Sequence, residues 1–482
     1  RYANRELGVE FRQVSKVRLV PVLAAPRALD EGEAREEARL LALLALAFRS
    51  HQFYFSHAHD VTHTLQRLRV SASAAAATPS SSDKTPSDRM ENPPTKKKAA
   101  SSHLSNDEAG KRTPEVVEEE KRKTRGRRGL LRKKLMDQAK NAFPSTGKPD
   151  SSSSLSSPSP LRSDERFFWN LGVLGSLLEL REELREQLVE GGGGGGGTAA
   201  DGAGGAAVDR WLTPVMSGFL QVERGCRVGE RGFDVLFVSR RSRLRQGTRF
   251  TRRGIDDGGN VANFVETEQS LLHEDKSVTS HVQIRGSIPV LWSSPTNLRY
   301  HPKVRIDPDQ EASLRALRRH SEDLIRLYGK GGGGIMFVNL VDKKKEQGAL
   351  GEAFDDALEA LAEGAGSDIN SQKEADEKKT SDRSPAKGNA VGVGGEGLDL
   401  GGSLRHVWFD FHHECRNMHW ENLDKLLAIV DREFGEQGFY HAGPDGEALS
   451  FQDGVVRTNC MDCLDRTNVV QSLLARRSML VR

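Results

Sequence analysis

Between Ser71 and Ser163 the chain stops alternating apolar and polar residues and turns rich in Ser, Pro, Lys and Ala, with Ser151 to Pro160 almost pure Ser and Pro. A stretch so poor in large apolar side chains cannot offset the entropy of ordering itself. Whatever folds must therefore be assembled from the pieces on either side. Glycine runs at Gly191–Gly197 and Gly202–Gly205 cut the chain a second time, and a charged, then glycine-rich tract cuts it a third time. The expected organisation is an N-terminal unit over 1–70, a disordered insert over 71–163, the rest of the first unit over 164–213 with a glycine-rich insert at 191–207, and a second unit over 214–482 with an insert at 363–402. The chain starts without methionine and stops inside a helical pattern, so it reads as truncated, at its C-terminus above all.

The folded pieces carry clear local signals. Phe233–Val238 and Ile335–Val341 are apolar runs of strand length, and Val14–Val22 alternates like a strand. Trp420, Leu423, Leu427, Val430 and Phe434 fall on one stripe of a helix from Trp420 to Phe434. Strands alternating with helices indicate an α/β class with a central sheet. Leu40–Phe48 is the longest apolar run. It falls short of the ~20 residues of a membrane span and reads as a core helix. No secretory leader is visible.

Composition excludes some partners. The net charge of +3 is too small to argue for nucleic acid. Four cysteines in 482 residues make no disulfide framework and suit a reduced, cytosol-facing setting. Inside the first insert a basic run spans Lys121–Lys134. It could meet anionic lipid headgroups, act as a nuclear signal, or be a solvated linker offset by Glu118–Glu120.

The chemistry concentrates near the C-terminus. Cys460 and Arg466 frame a Cys-x5-Arg spacing, followed by Thr467. Before it, Gly454–Thr458 is strand-like, and after it Val469, Val470, Leu473 and Leu474 recur at helical spacing. A strand, loop and helix in that order aim a helix start and its N–H groups at an anion. Such a loop suits a thiolate nucleophile at Cys460, with Asn459, Met461, Cys463 and Leu464 supplying the cradle. The Arg466 fork suits two phosphate oxygens. Thr467 could bond the sulfur, and Asp462 and Asp465 are candidate proton carriers, with Asp256 or Asp257 from another loop as alternatives. This chemistry calls for no metal or cofactor. A rival reading joins His412, Cys415, Cys460 and Cys463 as a Cys3His zinc set, though zinc has no use for Arg466 and Thr467.

The longer string Arg457–Asn468 resembles the signature of the Sac-domain phosphoinositide phosphatases. Phe53–Ser56, Asp60–Gln66, Phe168–Asn170, Arg253–Asp256, Gly259–Gln269, Gln283–Trp292 and Phe409–Cys415 are similar to family motifs in the family's order. The resemblance implies a β-rich N-terminal Sac region joined to a catalytic α/β domain, with Cys460 as nucleophile and Arg466 as phosphate binder. It marks Arg253, Asp256, Asn260, Asn263 and Arg285 as candidate substrate contacts, and phosphoinositide lipids at a membrane surface as the partner. Val469–Ser478 is similar to the endoplasmic reticulum and Golgi branch, which favours phosphatidylinositol 4-phosphate. A synaptojanin-like or phosphatidylinositol 3,5-bisphosphate enzyme, or a Sac-fold binding module with little turnover, are the alternatives. Asp410, His412 and Cys415 then read as structural residues near a strand end.

Overall fold

A computed structural model describes residues 2–4, 9–14, 30–49, 52–76, 163–190, 211–246, 252–295, 303–329, 333–377 and 403–482. The basic run 121–134, the glycine tract, and Ser15–Val22 of the expected early strand lie outside the described residues.

Strands β1 (Tyr2–Asn4) and β2 (Val9–Gln13) come first, then helix α1 (Glu31–Arg49), strand β3 (Phe53–Phe55) and helices α2 (Leu65–Ala76) and α3 (Leu171–Glu190). Four long strands follow: β4 (Val215–Val228), β5 (Arg231–Arg241), β6 (Val265–His273) and β7 (Val278–Arg285). After the short pair β8 (Trp292–Ser293) and β9 (Arg305–Ile306) come α4 (Gln310–Tyr328), β10 (Ile335–Asn339), α5 (Lys345–Glu377) and β11 (Leu404–Trp408). The chain closes with α6 (Phe411–Glu414), α7 (Leu423–Gln437), β12 (Tyr440–Ala442), β13 (Ala448–Ser450), β14 (Val455–Asn459) and α8 (Asp465–Val481).

Most strands join one 12-stranded sheet in the order β1-β2-β3-β4-β5-β6-β7-β14-β10-β11, with β12 and β13 branching from β7. From β1 to β7 every pairing is antiparallel. From β7 through β14 and β10 to β11 every pairing is parallel. The sheet runs unbroken across position 214, because β3 pairs with β4.

The parallel strands are covered on both faces, which is why they read as continuous apolar runs. Ile335, Phe337 and Val455 face Leu317, Leu324 and Ile325 of α4 and Leu350, Phe354 and Leu361 of α5. Met336, Val338 and Val456 face Leu423, Leu426, Val430 and Phe434 of α7 and Val470 and Leu474 of α8. The buried strands expected at 233–238 and 335–341 are present as β5 and β10.

Two expectations need correction. Residues 40–48 are helical within α1, but they are not core: Leu40, Leu43 and Leu46 are 52%, 50% and 63% exposed. Among the described residues the helix is anchored at its C-terminal end, where Phe48 packs on Phe53 and Trp169 at ring distances of 5.1 and 5.3 Å. The helix expected from Trp420 starts at Leu423, with Trp420 in a 3-10 turn and largely exposed; Leu426 takes the buried place given to Trp420. In addition, α5 runs on to Glu377, through the first part of the tract expected as an insert from 363.

A buried ion network ties the antiparallel half together. Arg240, Glu266 and Glu268 are all at most 2% exposed. Arg240 pairs with Glu266 at 3.1 Å and Glu268 at 2.8 Å, and donates to the carbonyls of Val61 and His63 at 2.9 and 2.7 Å. Glu268 also accepts from Leu65 N and Ser280 Oγ, both at 2.8 Å. Tyr328 Oη donates to Glu266 at 2.5 Å. The polar alternation of Glu266 and Glu268 is thus an internal clamp on the 60–66 motif.

Candidate active site

Strand β14 delivers the loop. Its register pairs Asn459 with Asn339 at the ends of β14 and β10, and the chain then turns through Cys460–Leu464 into α8. Both cysteines are sealed, at 2% exposure each. Cys463 adopts φ +54°, a left-handed conformation that costs a non-glycine residue energy and persists only when its surroundings hold it. That turn points the Cys463 N–H at Cys460 Sγ, 3.1 Å away.

The electrostatics split the two thiols. Cys460 is driven down to about 5, first by its bond with Cys463, then by the charge of Arg466 and the N–H groups of Asp462 and Cys463, all against the effect of burial. Cys463 goes the other way, pushed well above the thiol range by burial and by the neighbouring sulfur. The pair holds a thiolate at Cys460 and a proton at Cys463. Arg285 lies in the field of both sulfurs, and Arg466 in that of Cys460.

Arg466 is held by Nη1, which donates to Leu340 O at 3.0 Å and Gln347 Oε1 at 2.9 Å and lies 3.4 Å from Asp342. His412 Nδ1 reaches the same Asp342 oxygen at 2.8 Å. Thr467 is fully buried, and its hydroxyl donates to Leu464 O at 3.0 Å at the start of α8, not to the Cys460 sulfur as the sequence suggested. Asp465 is exposed in the first turn of α8. Asp462 is ion-paired with Arg253, whose Nη1 also donates to Met461 O at 2.9 Å. Two residues singled out separately in the sequence therefore hold one another.

The remaining candidates divide. Asp256 accepts from Asn260 N at 2.9 Å, Asn260 Nδ2 at 3.1 Å and Gly258 N at 3.1 Å, so Asp256 and Asn260 shape their own turn. This turn needs glycine at 254, where φ is +67° and a Cβ would stand 2.7 Å from Trp292 O. Asn263 meets Arg241 Nη2 at 3.5 Å, and Arg285 Nη1 donates to Asn468 at the start of α8. Asp410 caps α6, accepting from His413 N at 3.1 Å and Lys343 N at 2.9 Å. Cys415 packs in the apolar cluster beneath α7. With His412 turned to Asp342, the four proposed zinc ligands do not converge, and among the described residues no group of three or more His, Cys, Asp or Glu is placed to hold a metal.

Sequence reasoning missed the layer beneath the loop. Arg457 is the largest fully buried side chain among the described residues. It donates to His320 Nε2 at 3.2 Å, Asn459 Oδ1 at 3.1 Å and Ser287 O at 2.6 Å. Asn459 Nδ2 continues to Asn339 Oδ1 at 2.8 Å. A lone arginine between Val456 and Thr458, inside a strand buried at every position, was the available signal.

Comparison with known proteins bears on the family of the chain. The family model described as the SacI homology domain matches residues 3–416, ending before the Cys460 loop. The phosphatidylinositol-3-phosphatase SAC1-A of Danio rerio is 34% identical over 318 residues, 66% of this chain and 42% of that protein. The SAC1 phosphatidylinositol-3-phosphatases of Drosophila melanogaster and Saccharomyces cerevisiae are 36% and 32% identical over 56% and 65% of this chain, and 38% and 41% of their own length. The chain spans less than half the length of these relatives. With a sheet and ordered motifs to match, it belongs to the SacI homology domain family.

Proposed function

We propose that this chain hydrolyses phosphatidylinositol monophosphates, the 4-phosphate foremost, through a phosphocysteine intermediate on Cys460. The observation that carries the reading is a buried thiolate that takes a backbone N–H at 3.1 Å, at the start of a helix and in the field of Arg466. The Cys460 sulfur attacks phosphorus, and the bond to the inositol oxygen breaks as that oxygen takes a proton. Water then attacks phosphorus, the S–P bond breaks, and thiolate and inorganic phosphate are released. Arg466 supports the equatorial oxygens with the edge of its fork not engaged at Leu340 and Gln347. Arg285, in the field of both sulfurs, is the second cation for the phosphate. Asp462, released from Arg253 as substrate enters, carries the proton. The setting is a cytosol-facing surface of the endoplasmic reticulum or Golgi, in line with the branch that Val469–Ser478 resembles. No described helix is long and apolar enough to cross a membrane.

The three relatives are named as phosphatidylinositol-3-phosphatases. A panel of vesicles, each carrying one phosphoinositide, decides between positions: faster release from the 4-phosphate than from the 3-phosphate supports the reading, and the reverse order corrects it. Cys460→Ser is expected to remove phosphate release from every substrate in the panel. Turnover surviving that change would end the phosphocysteine mechanism.

A further inference from the structure

We propose that the exposed turn Arg416–Trp420 enters the bilayer that carries the substrate, with Met418 and Trp420 among the lipid chains and Lys344, Lys345 and Arg416 over anionic headgroups. The proposal deepens the reading above and rests on it, since a lipid phosphate reaches the Cys460 loop only when a membrane is held against that end of the fold.

The turn is held outward. Asn417 and Met418 both adopt left-handed conformations, with φ of +56° and +67°, which cost non-glycine residues energy and persist where the surroundings hold them. Both ends of the turn are fixed. Cys415 and Leu423 are buried in the apolar cluster that also contains Cys460, and Asn422 Nδ2 donates to Glu414 O at 2.7 Å. The apolar tip is the part left in solvent. Met418 is 72% exposed and Trp420 is 45% exposed, with its indole tilted against Phe411 at a ring distance of 6.3 Å. An indole half packed and half exposed suits the boundary between water and lipid chains.

Exposure alone does not mark this surface, because Leu449 and Phe451 are exposed as well. Those two lie in and just after β13, which reaches the sheet through β12 at the amino end of β7, away from the Cys460 loop. The 416–420 turn differs by its place. It follows the carboxyl end of β11, beside the carboxyl ends of β10 and β14. Asp342 joins the three loops that leave those strands: its Oδ1 lies 2.8 Å from His412 Nδ1 and 3.4 Å from Nη1 of Arg466, the proposed phosphate arginine. A bilayer resting on Met418 and Trp420 thus lies beside the loop that takes the phosphate.

The charges of the loops after β10 and β11 suit the same surface. Their acidic side chains are engaged within the protein: Asp342 by Arg466 and His412, Asp410 by the N–H groups of Lys343 and His413, Glu414 by Lys425 at 3.1 Å, and Glu421 by His419 at 2.6 Å. Lys344, Lys345 and Arg416 stand exposed beside them. Each basic residue near a membrane surface adds attraction to anionic lipid, and an apolar tip backed by cations is the combination that interfacial binding uses.

The first arm of the test needs no turnover. The full chain and Trp420→Phe are mixed with phosphatidylcholine–phosphatidylserine vesicles whose acyl chains are brominated, and tryptophan fluorescence is compared with that on unbrominated vesicles. Quenching is expected in the parent and is expected to be lost in Trp420→Phe. Quenching absent from the parent, or retained in Trp420→Phe, overturns the proposal. The second arm compares phosphate release from vesicles carrying phosphatidylinositol 4-phosphate with release from its soluble short-chain form. Met418→Asp combined with Trp420→Asp is expected to lower the vesicle-to-soluble ratio about tenfold or more, and Leu449→Asp combined with Phe451→Asp to hold it within about twofold. A ratio unchanged in the first pair, or lowered as far in the second, overturns the placement. If the parent releases phosphate from neither substrate, the proposed hydrolysis fails and the quenching arm decides alone. Lys344→Gln, Lys345→Gln and Arg416→Gln together are expected to weaken co-sedimentation with the phosphatidylserine vesicles about tenfold or more. Unchanged co-sedimentation overturns the headgroup contact. Thermal melts establish that each variant is folded, and if an aspartate pair is not, Trp420→Phe decides by the quenching criterion.

Discussion

Burial pushes the thiols of Cys415 and Cys463 up, and at Cys460 the same burial is overcome by a neighbouring thiol, two backbone N–H groups and a guanidinium. In the proposed mechanism the thiolate is the reacting form, which sets the sign of the pH dependence: activity is expected to be lost as pH falls and the sulfur takes a proton. With Cys460 at about 5, the acid limb of kcat/KM is expected near that value, against the ~8.5 of an ordinary thiol. A pH–rate profile on a soluble short-chain substrate checks it, and a limb near the ordinary value would contradict the local field described here. At this scale the sequence was informative about chemistry and silent about pairing. Cys460 and Arg466 were legible from spacing. That Arg253 grips Asp462, or that Arg457 rests on His320, depends on residues more than a hundred positions apart, and no local pattern encodes it.

At the scale of elements, periodicity was a sound guide where packing is two-sided. Strands β5, β10 and β14 and helix α8 follow from their apolar patterns. It misled where an apolar stripe has no partner among the described residues, as along α1, or where the stripe starts one turn late, as at Trp420. The charged residues Glu266 and Glu268 of β6 form an interior clamp, and their partners come from distant segments. Glu268 is the strictest test of that clamp, since it serves Arg240, Leu65 and Ser280 together. Glu268→Ala takes one of two carboxylates from Arg240 and leaves Leu65 N and Ser280 Oγ without their acceptor, and is expected to cost about 3–5 kcal/mol of stability. Urea unfolding measures it, and a loss below ~1 kcal/mol would mean the network relaxes around the gap.

Across the whole molecule, the exposed leucines of α1 and the buried aromatics beneath the parallel strands make opposite predictions. Leu43→Gln and Leu46→Gln are each expected to change unfolding free energy by less than about 0.5 kcal/mol. Phe354→Ala, under β10 and stacked edge-on against Phe337 at 5.5 Å, is expected to cost about 3–5 kcal/mol. Equal losses in the two sets, read from the same denaturant curves, would return α1 to the core. The parallel run of β7, β14, β10 and β11 has one further implication. Its carboxyl ends open on a single rim, which holds Arg285, the Cys460 loop, Asp342 and Asp410. The tract before Ser403 joins the fold at the amino end of β11, on the far rim. The proposed chemistry and the attachment point of that tract therefore lie at opposite ends of the same strands, so a change in the tract's length has no direct route to the Cys460 loop.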